Sequence, residues 1–117
     1  MSITIPVHLI SEANNSEHWR VKHKRKKRLQ ALVGIYWKAS EFRNVKPPVT
    51  ITLIRLSPRT CDYDNLVYAF KGVRDFLADK IVPGLAPGRA DDTKGLEFKY
   101  AQEKSKTYGI RIEFDDK

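Results

Sequence analysis

Apolar side chains recur at every second position at the start of the chain, where Ile3, Ile5, Val7 and Leu9 alternate with Thr4, Pro6 and His8. That period predicts a strand over residues 2 to 10, and Pro6, which has no N–H to donate, places it at a sheet edge. The period then changes to a helical one. Trp19, Arg25, Leu29, Leu32, Tyr36 and Ala39 follow at roughly helical spacing. Asn14, Asn15 and Ser16 precede them as N-cap candidates, with Glu17 three residues after Asn14. A long helix is expected from there to about Ser40, with Gly34 a weak point in it.

Residues 45 to 48 break the chain, and the β-branched, alternating run from Val49 to Leu56 predicts a second strand. Leu66, Ala69, Phe70, Val73, Leu77 and Ile81 then form the apolar stripe of a second helix, which Asp62 or Asp64 can cap and the segment from Pro83 to Gly88 ends. Leu96, Phe98 and Tyr100, then Ile110, Ile112 and Phe114, give the inner faces of two closing strands, read as a hairpin through Lys104 to Thr107. The order β-α-β-α-β-β predicts an α+β fold, a mixed sheet packed against two helices, in a single domain over residues 1 to 117.

Composition fits that reading and adds a polarity of charge. The 117 residues are 41% hydrophobic and 31% charged, enough for one core and a well-solvated surface. The single cysteine, Cys61, makes no internal disulfide, and no His/Cys cluster has zinc-ligand spacing. With no charged leader and no run of ~18 apolar residues, a cytoplasmic protein is expected, neither exported nor membrane-spanning. The net charge of +8 is uneven: residues 1 to 60 carry twelve Lys/Arg and three Glu, whereas residues 61 to 117 carry ten Lys/Arg and eleven Asp/Glu.

Seven of the nine residues from Arg20 to Arg28 are cationic: Arg20, Lys22, Lys24, Arg25, Lys26, Lys27 and Arg28. Nine helical residues make about two and a half turns, so this segment is basic nearly all round. Pairing with acids along the helix does not account for it; phosphates do, with steeply salt-dependent binding as the consequence. A solvated face and a membrane-surface helix are the rivals, the latter weakened by the few large apolar residues opposite the charges. These cations, with Arg59, are the candidate nucleic-acid contacts. Trp19 beside His18 either stacks on a base or joins the core.

Against this background stand Asp62 and Asp64, with Asp91 and Asp92 further on. Two residues apart in an extended segment, Asp62 and Asp64 point to one face and can share an ion; if the helix has begun at Asp62, that argument weakens. Oxygen ligands without His or Cys select Mg²⁺ or Mn²⁺, and an ion there polarises a phosphate and activates water. The plainer reading is that both aspartates are turn and cap residues. Lys71 lies seven residues after Asp64, within about 20° of its direction on a helix, where it either offers a cation to a phosphoryl transition state or is an ordinary solvated lysine. Cys61 has no evident base partner. No phosphate-cradling glycine motif is present.

The arrangement Arg59-x-x-Asp62-Tyr63-Asp64-Asn65-Leu66 after a strand, then a helix, then Asp91-Asp92 ahead of closing strands, resembles the RusA family of Holliday-junction resolvases over nearly the whole chain. The resemblance implies a small homodimeric, Mg²⁺-dependent endonuclease of phage or prophage ancestry that cuts four-way DNA junctions in recombination and repair. It maps the family's first two catalytic aspartates onto Asp62 and Asp64, and the third onto Asp92, with Asp91 as the substitute. The family's lysine, one turn after the second aspartate, falls on Tyr68 here, which leaves Lys71 a turn further on as its replacement. A non-catalytic nucleic-acid-binding module using the basic helix is the alternative, and a structural metal-binding or interaction protein a third.

Overall fold

The computed structural model describes residues 2–10, 18–83 and 95–116. The strands are β1 (Ser2–Ile5), β2 (Val49–Ser57), β3 (Leu96–Lys104) and β4 (Gly109–Asp116), and the helices α1 (Trp19–Ala39), α2 (Tyr63–Ala69) and α3 (Lys71–Ile81). The result is a small α+β fold with one mixed four-stranded sheet in the order β1-β4-β2-β3.

The expected hairpin does not form. β3 runs parallel to β2, with Val49 opposite Leu96, and β4 runs antiparallel to β2 on its other side, with Leu53 opposite Ile112. The 105–108 connection therefore passes over the end of β2, where the Ser105 N–H donates to the Ser57 carbonyl at 3.0 Å. The physical reason is burial: β2 is apolar enough to sit between two neighbours, and a helical crossover between β2 and β3 suits a parallel pair.

Register puts Ile3, Ile5, Ile51, Leu53, Ile110, Ile112 and Phe114 on one face, all buried. The helices cover that face with Val33, Trp37, Leu66, Phe70, Val73 and Leu77. Phe114 closes one side, stacked on Phe42 at 4.4 Å between ring centroids. On the opposite face, where Ile54 is also buried, Arg111 pairs with Glu113 along β4 and with Glu103 of β3. The two carboxylates, Glu103 foremost, raise the Arg111 pKa.

The second helix is broken where a single one is expected. Phe70, fully buried, separates α2 from α3 with helical-region angles (φ −87°, ψ −2°), while the Arg74 N–H still reaches its carbonyl at 2.8 Å. Gly34 proves to be a contact point: a Cβ there would lie 3.1 Å from the Phe76 ring, so its absence lets α1 approach α3 closely. Gly72 does the same for α3, with the Lys26 stem 3.1 Å from where its Cβ would be and its carbonyl accepting from Gln30 Nε2 at 2.9 Å.

Candidate nucleic-acid interface and acidic cluster

Helix α1 is anchored by its C-terminal half, where Val33, Gly34 and Trp37 are buried. The basic half is not: Arg20, Lys24, Lys26, Lys27 and Arg28 are exposed, and Lys22 and Arg25 half-buried. The helix starts at Trp19 with His18 as its cap, Nδ1 accepting from the Arg20 N–H at 3.1 Å. The N-cap candidates Asn14, Asn15 and Ser16 lie outside the described residues. Trp19 is exposed, with the Arg20 guanidinium 5.4 Å from its ring centroid, so it belongs to the surface and not to the core.

Between the basic half of α1, residues 7–10 and the α2–α3 break lies a cleft of about 410 Å³. Lys22, Arg25, Lys26, Arg28 and Lys71 line it with positive charge, over apolar Leu9, Ile10, Leu29 and Leu32. A second recess of about 380 Å³ adjoins α2 and α3, lined by Asp64, Tyr68, Lys71, Arg74, Asp75 and Tyr100. Tyr68 and Lys71 line both, so this recess of mixed charge and the basic cleft meet along one helix pair. Asp64 of α2 and Lys71 of α3 thus line the same recess, on either side of the break at Phe70.

Asp62 is the N-cap residue of α2 by position, and its carbonyl accepts from the Leu66 N–H at 2.9 Å. Its carboxylate makes no capping hydrogen bond. The cap reading of that side chain therefore fails, and an exposed carboxylate remains beside the exposed Asp64. The shared-face argument fails too, because Asp62 is extended (φ −63°, ψ 152°) while Asp64 is already in the helix.

What holds this corner was not apparent from motif reading. The Gln102 side chain clamps Cys61, donating to its carbonyl at 2.7 Å and accepting from its N–H at 3.0 Å. Arg55, buried, donates from Nε to the Leu9 carbonyl at 3.2 Å and from Nη1 to the Arg59 carbonyl at 2.8 Å, leaving the Arg59 side chain exposed. Both side chains continue the inward alternation of their strands, Ile51-Leu53-Arg55 and Phe98-Tyr100-Gln102, and that was the available signal. Gln102→Ala strands two backbone groups and is expected to cost about 1–3 kcal/mol in urea unfolding.

Among the described residues no three His, Cys, Asp or Glu side chains form a metal-holding group. Asp91 and Asp92 lie outside the described residues. Gly95 meets the start of β2, its carbonyl accepting from the Val49 N–H at 2.8 Å, whereas Cys61 is held at Gln102, seven residues further along β3. That is about 23 Å of strand.

No described helix is long and apolar enough to cross a membrane. Compared with models of known protein families the chain matches none, and no curated protein matches it.

Proposed function

We propose that the protein is a Mg²⁺-dependent endonuclease acting on branched DNA as a homodimer, the activity implied by its resemblance to the RusA resolvases. The observation that carries this reading is the junction of the two recesses: the basic cleft, suited to a phosphate backbone, meets across Tyr68 and Lys71 a recess that holds Asp64, with the exposed Asp62 two residues before it. A purely nucleic-acid-binding module has use for the cleft alone.

In this reading Lys22, Arg25, Lys26 and Arg28 neutralise and align the backbone, and Lys71, at the boundary, holds positive charge where the transition state gathers negative charge. Asp62 and Asp64 are oxygen donors of the kind a hard divalent cation takes, one or two protein carboxylates with water and phosphate oxygens completing its shell. When bound, such an ion supplies Lewis-acid polarisation of the phosphoryl group and lowers the pKa of water. The Gln102 clamp and the buried Arg55 fix the backbone on either side of Thr60 and so the loop that leads into Asp62. The third carboxylate, Asp92, is contributed by the second copy, which also supplies the second cut that symmetric resolution of a junction requires.

The interface half of the proposal is tested by binding to a labelled four-way junction across a salt series without divalent metal. About six phosphate contacts give a slope of roughly −5 in log affinity against log salt, and Lys26→Gln reduces its magnitude by about 1. A slope near zero overturns the nucleic-acid reading.

A further inference from the structure

The cleft beside α1 has a composition that phosphate binding alone does not explain. Cations anywhere on the exposed helix suffice for a backbone, yet here they rim a floor made of Val7, Ile10, Leu29 and Leu32, all only half-buried. A phosphate gains nothing from an apolar floor. The cleft suits an occupant that combines negative charge with an apolar body, and a volume of about 410 Å³ is of the size that takes one small molecule.

We propose that the cleft receives a single unstacked nucleobase of branched or bulged DNA, with the phosphates on either side held by Lys22, Arg25, Lys26 and Arg28. The inference rests on the nucleic-acid reading above and specifies what that site recognises. Trp19 extends the same surface: it stands seven residues before Lys26, within about 20° on the helix, and its exposed indole offers a stacking plane for the next base. Unpaired or strained positions are where a base leaves the stack at least cost, so this pocket selects branch points over uniform duplex without reading sequence.

The test is fluorescence anisotropy with the intact chain, in the absence of divalent metal. Three DNAs are compared: a perfect duplex, the same duplex with one unpaired adenosine, and that bulge with an abasic site in place of the adenosine. The bulge is expected to bind about tenfold tighter than either of the others. Leu29→Trp, which fills the cleft, is expected to lower that preference to about twofold or less, with folding checked by circular dichroism. Equal affinity for the bulge and its abasic counterpart overturns the inference, and that comparison uses the unaltered protein. If a second copy covers the cleft instead, Leu29→Trp changes the mass in light scattering and the base-to-abasic ratio is one, which also overturns it. Equal, salt-dependent binding to all three DNAs refutes only the base pocket. Binding to none refutes the nucleic-acid reading with it.

Discussion

Asp64→Asn is expected to lower junction cleavage by about three orders of magnitude, the scale on which removing one preorganised charge from a phosphoryl-transfer site acts. The same variant binds the junction at least as tightly as the unaltered protein, because a negative charge beside a polyanion has been removed. Its stability changes by less than about 0.5 kcal/mol, since the side chain is exposed. Asp62→Ala extends the test. A capping aspartate replaced by alanine costs about 1 kcal/mol, but the Asp62 carboxylate makes no capping bond, so thermal unfolding should barely move while cleavage is lost. A clear loss of stability with cleavage retained would return both residues to the role of turn formers.

Mixing two inactive proteins is expected to restore activity. If each site combines Asp62 and Asp64 of one chain with Asp92 of the other, a dimer of an Asp64→Asn chain and an Asp92→Asn chain holds one site with both defects and one site with neither. Random reassortment makes half of all dimers mixed, with one of their two sites intact, so single-strand nicking recovers to about a quarter of the unaltered level. Sites built within one chain give no recovery, because every site then carries one defect. The strand register, which sets Gly95 and Gln102 seven residues apart on β3, is the observation that prompts the test.

Periodicity served best where one face of an element is buried. The run from Val49 to Leu56 alternates because β2 packs one face on the helices, and its observed span is Val49–Ser57. The end of α1 falls at Ala39, next to the expected Ser40. The hairpin fails for a different reason: alternation shows that a strand has an inner face but not which strand lies beside it, and both β3 and β4 choose β2. Gly34 reads as a helix weakness in one dimension, whereas the crossing of α1 and α3 supplies its purpose.

At the candidate site, the motif singles out Asp62 and Asp64, and the charge run gives the basic half of α1. Their relation needed coordinates. Nothing in the spacing shows that Tyr68 and Lys71 line both recesses, or that the polar residues fixing the acidic loop are Arg55 and Gln102, inward members of strands otherwise apolar at those positions. The second helix also reads as continuous in sequence, because the break at Phe70 leaves the apolar stripe of Leu66, Phe70, Val73 and Leu77 intact.

The most direct measurement is incubation of the purified chain with an end-labelled four-way junction, with and without Mg²⁺, followed by denaturing electrophoresis. The proposed function predicts paired, symmetric cuts near the branch point that require the metal and vanish with Asp64→Asn. Salt-dependent binding with no cuts at any Mg²⁺ or Mn²⁺ concentration, or cuts that survive Asp64→Asn undiminished, would contradict it and leave a nucleic-acid-binding module.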